Sequence, residues 1–336
     1  MNTKPSTSKP FLSVQTIVLA SVAWAVISLM FFLLFSISPI QGERPHWYIV
    51  ITYILEQVPF LVAGLLCFRN WRSSQIVSGR TVWLAFGLGM MSYFIANLFL
   101  AYWELGLGLT PDVSPGDLFF ILTYVFLGWG MVQAVMSKQL SLTKIQWVIL
   151  AGIAVGGVVI ALIFVPGPEE VSLDAVLPGI ESAEVAPNVA ESPDPIAAAP
   201  ELEAVPEISP VPPTEPAASD VPAWAEAVDE RLAPLANLVT WLYIIGDVIL
   251  VVMATTLLLA FWGGRFSLSW RFIAAAVFCY YIADIWFNYA INYIPDYQTG
   301  ALPEVFWIFS GCLFAIGAAL EYHLSNVRRR ASRRRA

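Results

Sequence analysis

Three acidic residues lie deep inside long apolar stretches of the sequence: Glu56, Asp247 and Asp284. An acidic side chain at the centre of a bilayer costs on the order of 2.5–3.5 kcal/mol on insertion scales, so such residues face the interior of a helix bundle. No lysine or arginine lies near the middle of these stretches to neutralise them. We therefore expect the three acids to be protonated, hydrogen-bonded or paired with a bound cation.

Helical spacing gives these acids polar neighbours. Tyr243 lies one turn before Asp247, and Tyr93 lies one turn before Asn97, a polar residue at a similar depth in another apolar stretch. The predicted pocket therefore comprises seven side chains: Glu56, Asn97, Asp247, Asp284, Tyr93, Tyr280 and Tyr243. Three interpretations stay open, namely hydrogen bonding that only joins the helices, a ligand or cation pocket, and proton coupling.

Other kinds of chemistry find no support in the sequence. It contains no nucleophile–base pair, phosphate-binding loop or metal-ligand spacing, so we expect no catalytic residue, no metal site and no enzyme activity. The three cysteines all lie in apolar stretches, which argues against a disulfide scaffold or a zinc cluster. The sequence contains no motif of a folded nucleic-acid-binding domain to accompany the arginines at the C-terminus, so we expect no nucleic acid as a partner. The identity of any cofactor stays undetermined.

The composition defines the class of protein that must position these side chains. Of 336 residues, 58% are hydrophobic and 12% are charged, and the mean hydropathy is +0.71. A soluble domain carries about 25% charged residues, so a water-soluble enzyme is excluded. We predict an all-α integral membrane protein with eight transmembrane helices at 14–37, 48–68, 81–102, 118–136, 145–165, 235–262, 270–293 and 305–324.

These helices divide into two units separated by an acidic segment. Residues 1–165 hold the first four-helix unit and a fifth span that opens the second unit, which residues 234–324 complete. The linker 166–233 is rich in proline and alanine, with 15 acidic residues against the single cation Arg231. We expect it to be disordered, except for an amphipathic helix at 222–232 on the membrane face.

The distribution of cations predicts the orientation. All but two of the 17 lysines and arginines fall on one side of the predicted topology, and the exceptions are Arg44 and Arg231. Both termini are therefore expected in the cytoplasm and the acidic linker outside. The Arg-rich tail 325–336 either binds the anionic headgroups of the bilayer or only fixes the topology.

A shift of 187 residues reveals an internal repeat. It aligns Trp83 with Trp270, Tyr93 with Tyr280, Asn97 with Asp284 and Asp117 with Glu304, and a longer loop brings Glu56 onto Asp247. We predict two parallel four-helix repeats related by an axis along the membrane normal, with the polar residues in one central crevice. The alternative is shared membrane composition. Asp117 and Glu304 precede apolar runs and are expected to cap helices.

The segment 83–130 resembles a multi-pass membrane module that precedes bacterial diguanylate cyclases and some histidine kinases. The matching residues are Trp83, Pro111, Ser114, Gly116, Asp117, Phe119, Tyr124 and Gly130. The resemblance implies a sensor in the inner (plasma) membrane of a bacterium. After Leu324 only the Arg-rich tail follows, with no output domain, so a signal would have to pass to a separate partner.

Three functions are compatible with these features. The first is a sensory or regulatory module that binds a small or lipophilic ligand within the helix bundle and signals to a partner. The second is a small cation- or proton-coupled transporter built on the two repeats. The third is a structural subunit of a larger membrane complex.

Overall fold

The computed structural model describes residues 13–37, 44–109, 111, 113–136, 143–164, 221–260, 267–295 and 297–333. Within these ranges the regular structure is helical throughout, which confirms the predicted all-α class. The nine α-helices of this part of the chain are α1 Val14–Phe35, α2 His46–Arg72, α3 Arg80–Ala101, α4 Gly116–Met136, α5 Lys144–Phe164, α6 Ala223–Leu232, α7 Ala236–Ala260, α8 Ser267–Tyr293 and α9 Val305–Arg333.

Seven of the described helical segments are long and apolar enough to cross a membrane, and they mark the chain as a multi-pass membrane protein. They coincide with seven of the eight predicted spans: Val14–Phe35, His46–Arg72, Arg80–Gly106, Gly116–Met136, Ala223–Ala260, Leu268–Tyr293 and Leu302–Val327. The remaining predicted span corresponds to α5, which contributes a shorter described apolar stretch, Lys144–Ile160.

Two acidic residues cap helices, as predicted. The Asp117 carboxylate at the start of α4 accepts a hydrogen bond from the Ser114 backbone N–H at 2.7 Å. The Glu304 carboxylate at the start of α9 accepts from the backbone N–H groups of Gly300 at 2.7 Å and Ala301 at 3.1 Å. These bonds satisfy N–H groups that have no partner within the helix, and the negative charge complements the helix dipole.

Six helices pack as a closed ring. Along the ring α2 contacts α3, α3 contacts α4, α4 contacts α7, α7 contacts α8, α8 contacts α9, and α9 returns to α2. The other two long helices lie outside this ring, with α1 packed mainly on α9 and α5 mainly on α7. The side chains of α3 and α8 that point inward therefore meet at the centre of the ring.

One end of the ring, here called the Glu304 end, joins the starts of α2, α4, α7 and α9. The Tyr48 hydroxyl of α2 donates to the Gly300 carbonyl in the α8–α9 loop at 2.6 Å. The Tyr243 hydroxyl of α7 donates to the Asp117 carboxylate of α4. The Thr299 hydroxyl of the α8–α9 loop donates to Glu104, in the segment between α3 and α4, at 3.1 Å. This contact joins the two sets and places Asp117 and Glu304 at the same end of the bundle.

The opposite end, here called the Glu321 end, is closed by a buried carboxylate in the second half of α9. Glu321 has no exposed surface and accepts hydrogen bonds from the Ser78 hydroxyl at 2.7 Å and the Ser269 hydroxyl at 2.9 Å. The Asn70 side chain of α2 donates to the Ala318 carbonyl of α9 at 2.9 Å. The end of α2 and the starts of α3 and α8 therefore meet α9 here.

Between the Glu321 end and the middle of the ring lies a layer of large apolar side chains. The Trp83 and Trp270 rings meet with their centroids 6.4 Å apart, and those of Phe86 and Phe314 lie 6.0 Å apart. We call this set the apolar layer, and all its members are fully buried: Trp83, Phe86, Met90, Leu127, Met131, Trp270 and Phe314.

Two predicted segments reach beyond the described residues. The helix expected at 222–232 is present as α6, whereas the linker before residue 221 lies outside the described residues. Helix α9 continues to Arg333, nine residues past the predicted end of the last span, so the first part of the Arg-rich tail is helical. The side chains of the tail arginines are outside the described part, so its binding to anionic headgroups stays a prediction.

Candidate functional site

The most unusual feature of the bundle is a pair of acidic side chains in its interior. Asp247 of α7 and Asp284 of α8 are 3% and 8% exposed and lie within hydrogen-bonding range of each other. The Tyr124 hydroxyl of α4 lies 2.9 Å from Asp247 Oδ1 and also contacts Asp284 Oδ2. The Trp307 indole N–H of α9 donates to Asp284 Oδ1 at 2.5 Å. We call Asp247 and Asp284 the carboxyl pair.

The geometry around Tyr124 limits the charge of the carboxyl pair. A tyrosine hydroxyl carries one hydrogen and can donate it to only one of the two carboxyl groups. Its contact with the other is a good hydrogen bond only if that group is a protonated acid that donates in return. Two adjacent carboxylates in a water-excluded core also repel each other strongly. The arrangement therefore suits a pair that holds at least one proton.

A glycine beside the carboxyl pair makes this arrangement possible. Gly246 precedes Asp247 on α7, and a Cβ atom at Gly246 would lie 2.6 Å from Cδ1 of Tyr124. Because real Cβ atoms do not approach other atoms so closely, any larger residue would displace the tyrosine ring. Glycine thus lets α4 and α7 pack closely enough for the Tyr124 hydroxyl to reach both acids.

The third intramembrane acid forms a second group across the ring. Glu56 of α2 is 5% exposed, and its Oε1 accepts hydrogen bonds from the Tyr93 hydroxyl and from Asn97 Nδ2, the latter at 2.9 Å. Both donors belong to α3. The Tyr93 ring stacks on Phe60 of α2 with centroids 3.8 Å apart. We call Glu56, Tyr93 and Asn97 the Glu56 group.

Tyr280 of α8 links the carboxyl pair to the Glu56 group. Its ring centroid lies 5.6 Å from that of Tyr93 and 5.7 Å from that of Tyr124, and both ring pairs meet edge to face. Six of the seven side chains in the predicted pocket therefore come together around the centre of the ring: Glu56, Tyr93, Asn97, Asp247, Tyr280 and Asp284.

Tyr243, the seventh predicted residue, has a different partner. Its hydroxyl donates to Asp117 toward the Glu304 end rather than to Asp247, which lies one turn along the same helix. Its ring nevertheless contacts that of Tyr124, with centroids 5.7 Å apart. Tyr243 therefore borders the carboxyl pair without binding it.

The structure adds two residues to the predicted pocket, Tyr124 and Trp307, and reveals a further buried acid, Glu321, away from the pocket. In the sequence, Tyr124 stood out only as part of the motif shared with sensor modules. Nothing in the sequence around Trp307 indicated that its side chain would bond to an acid. Glu321 lies inside the last predicted span, 305–324, and its position there is the same signal that identified the other intramembrane acids. Inspection of that span for acids would have found it.

Hydrogen bonds of the α8–α9 loop close the Glu304 end above the Glu56 group. The Tyr297 hydroxyl donates to the Glu304 carboxylate. Burial raises the pKa of this tyrosine, and the neighbouring Glu304 carboxylate raises it further, so Tyr297 remains a donor. Gly300, at a φ of 107°, turns its carbonyl toward Tyr48 and Arg44. Only glycine adopts this backbone conformation readily.

The fold and the site together define a multi-pass helical membrane protein with a hydrogen-bonded carboxyl site in its core. Among the described residues, no three His, Cys, Asp or Glu side chains cluster closely enough to hold a metal ion. No family model, no curated protein and no solved structure matches the chain. Its function must therefore be argued from the geometry of the site.

Proposed function

We propose that this protein is a membrane sensory or regulatory protein whose helix bundle responds to protonation of the carboxyl pair and signals to a separate partner. The observation that carries the proposal is the single Tyr124 hydroxyl shared by Asp247 and Asp284. The ligand of this site is then the proton, which is small enough to enter a site enclosed by packed helices. The resemblance of residues 83–130 to sensor modules supports the same class of function.

The hydrogen bonds of the site explain how a proton can move helices. With one proton on the pair, Tyr124 and Trp307 connect α4, α7, α8 and α9. When that proton leaves, two carboxylates face each other in a low dielectric, and Tyr124 can satisfy only one of them. The repulsion separates Asp247 from Asp284 and so alters the packing of α7 against α8. Protonation therefore selects between two arrangements of the ring.

The packing supports the two-repeat arrangement that such a ring implies. Residues that contact their own repeat equivalents must lie near the axis relating the repeats, and both Trp83–Trp270 and Tyr93–Tyr280 are in contact. Close helix contacts at glycine residues also occur at equivalent positions of the two repeats. A Cβ atom at Gly130 would lie 2.7 Å from Phe86, and one at Gly317, 187 residues later, would lie 2.8 Å from Ile273, the equivalent of Phe86.

The chain path supports α5 as the eighth transmembrane helix. The first turn of α4 contains Asp117 and lies at the Glu304 end, so this helix finishes toward the Glu321 end. Helix α7 begins again at the Glu304 end, because Tyr243 near its start contacts Asp117. The chain between α4 and α7 must therefore cross the bundle, and α5 is the long apolar helix in that interval.

The same path supports an orientation with both termini in the cytoplasm, and the resemblance to sensor modules favours the plasma membrane of a bacterium. The last turn of α2, at the Glu321 end, carries Arg69 and Arg72. Cytoplasmic loops are enriched in such residues, so the Glu321 end faces the cytoplasm and the Glu304 end faces outward. The Arg-rich tail then lies beside anionic headgroups of the inner leaflet.

Titration of the purified protein tests the proposal. Intrinsic tryptophan fluorescence is recorded against pH for the wild type and for Asp284→Asn, because Trp307 donates directly to Asp284. The proposal predicts a transition in the wild type that the variant lacks. Glu321→Gln, a change at another buried acid, is the matched control and should retain the transition. Recovery of a co-purifying partner should change over the same pH range; identical titrations for wild type and Asp284→Asn would contradict the proposal.

A proton-coupled transporter is the second candidate, and the placement of the acids favours it specifically. Glu56 on α2 and Asp247 on α7 occupy equivalent helices of the two repeats, as expected of a carrier that alternates between two related states. A carrier moves protons across sealed vesicles, and Asp284→Asn abolishes that flux. A sensor gives no flux but a partner whose activity depends on pH. A purely structural subunit tolerates Asp284→Asn in both assays and still co-purifies with its complex.

A further inference from the structure

Extending the proposed function, on which this inference depends, we propose that the carboxyl pair exchanges protons only with the Glu304 end, through Asp117 and Tyr243. The apolar layer closes the path to the Glu321 end. The site therefore responds to the proton concentration on only one side of the membrane. This property does not follow from protonation alone, which would allow access from either side.

The line of hydrogen-bonding side chains begins at Asp117. This residue is half-buried at the start of α4, and its carboxylate accepts from the Tyr243 hydroxyl and from Ser114. Tyr243 in turn packs against Tyr124, with ring centroids 5.7 Å apart. The Tyr124 hydroxyl contacts both members of the carboxyl pair. Polar side chains therefore continue from the end of the bundle to the pair.

The transfer moves one proton and changes no oxidation state. In the proposed transfer, a proton on the Asp117 carboxyl group passes to the Tyr243 oxygen, and Tyr243 releases its own hydroxyl proton to a water molecule. The route requires this water because Tyr243 and Tyr124 meet through their rings, whereas their hydroxyls bond to Asp117 and to the carboxyl pair. That water passes one of its protons to the Tyr124 oxygen, and Tyr124 releases its own to a carboxylate of the pair. Each hydroxyl regains one proton for the one it loses, so the net change is one proton moved from Asp117 to the pair.

Among the residues that the structure describes, the opposite direction offers no such line. The apolar layer occupies the α3 turns from Trp83 to Met90, between the Glu321 end and Tyr93, a distance from Trp83 of about 15 Å along the helix. Its members are hydrocarbon or thioether side chains apart from two indoles, and an indole N–H cannot accept a proton. Beyond the layer, both oxygens of Glu321 are held by serine hydroxyls.

The Glu304 carboxyl group provides a less suitable entry than Asp117. Glu304 is 1% exposed and is held by Tyr297 and two backbone N–H groups, so solvent does not reach it. Asp117, by contrast, is half-buried. The described ionisable groups near the pair are Glu56 of α2, Tyr93 of α3, Tyr124 of α4, Tyr243 of α7, and Tyr280 and Tyr281 of α8. Asp117 of α4 lies next to Tyr243, and Glu304, just before α9, lies nearer to Glu56.

A sided pH jump tests the inference. The protein is reconstituted into phosphatidylcholine vesicles that are sorted for orientation with a C-terminal tag. The external pH is then changed by rapid mixing while tryptophan fluorescence is recorded. The kinetic phase of the fluorescence change that is absent in Asp284→Asn is assigned to the carboxyl pair. We expect this phase promptly when the Glu304 end faces the mixed solution and only after slow leakage when the Glu321 end does.

Variants along the line test the route. Asp117→Asn and, independently, Tyr243→Phe should slow the phase by about tenfold or more without moving its equilibrium endpoint, since positioned proton donors typically contribute 10²-fold or more to transfer rates. Glu230→Gln, an exposed acid on α6, is the control and should leave the rate unchanged. Equal rates from both faces, or wild-type rates in both route variants, overturn the inference. Absence of the phase in the wild type instead overturns the proposed function and this inference with it.

Discussion

Asp247 and Asp284 face each other across the contact between α7 and α8 and share the hydroxyl of Tyr124. Within the described residues, the side chains that bond to the pair are the aromatic Tyr124 and Trp307 rather than a lysine or an arginine. A pair of this kind is stable while it holds a proton and strained when it does not. On the proposed function, this dependence on a proton is what makes the pair more than a hydrogen-bonded joint between helices.

Removal of the Tyr124 hydroxyl should destabilise the bundle. Tyr124→Phe retains the ring but leaves two buried carboxyl groups without their common partner, so we expect a loss of about 1–3 kcal/mol in the free energy of unfolding. Chemical or thermal unfolding in detergent measures it. Tyr102→Phe, at an exposed tyrosine, is the control and should stay within about 0.5 kcal/mol of wild type. Equal stability of the two variants would show that the Tyr124 hydroxyl does not hold the site.

A larger residue at position 246 should disturb the site by pushing against the Tyr124 ring. In Gly246→Ala the new Cβ lies 2.6 Å from the Tyr124 ring, which must move away from the acids. We expect the pH transition of tryptophan fluorescence to shift or broaden, together with a loss of stability. Gly128→Ala places its Cβ 4.0 Å from Leu250, an ordinary contact, and should leave the titration unchanged. An unaltered titration in Gly246→Ala would contradict the position assigned to Tyr124.

The two repeats should respond alike to matched glycine substitutions. Gly130→Ala and Gly317→Ala each force a Cβ against a side chain of the neighbouring helix, Phe86 and Ile273 respectively. Overpacking of this kind costs about 1–3 kcal/mol, measured as unfolding free energy in detergent. Gly152→Ala on α5 meets nothing within 4 Å and should cause no loss. A large effect at only one of the two matched glycines would argue against equivalent packing.

Reporter fusions should locate the two ends of the bundle. Fusions after Arg72, Lys138 and Arg265 are expected to report the cytoplasm, and one at Pro200 the outside, because most lysines and arginines lie on the first side. The Lys138 and Pro200 fusions together test whether α5 crosses the membrane. The same location for both would remove α5 from the list of spans and place the termini on opposite sides.

The sequence predicted most of the fold because long apolar stretches and capping acids are local signals. The bounds of seven spans follow from hydropathy, and Asp117 and Glu304 cap the helices that they precede. The acids of the pocket were found for a similar reason: a carboxyl group within an apolar helix must turn inward. Each of these inferences needs only a residue and its neighbours in the chain.

The partners of those acids were not predictable in the same way. Asp247 is bound by Tyr124, 123 residues away in the chain, and nothing near either residue specifies the contact. It arises because α4 and α7 are neighbours in the ring and Gly246 allows close approach. Tyr243 shows the converse: its helical spacing indicated Asp247 as its partner, but the start of α4 places Asp117 nearer to its hydroxyl.

Infrared difference spectroscopy of the carboxyl groups tests the central claim most directly. Spectra recorded across the pH range in which the protein stays folded should contain a band of a protonated carboxylic acid that disappears as the pH rises. We predict that Asp284→Asn and Asp247→Asn each remove or shift this band, whereas Glu321→Gln leaves its titration in place. A spectrum without a titrating carboxylic acid band, or one that is the same in wild type and both aspartate variants, would contradict the account.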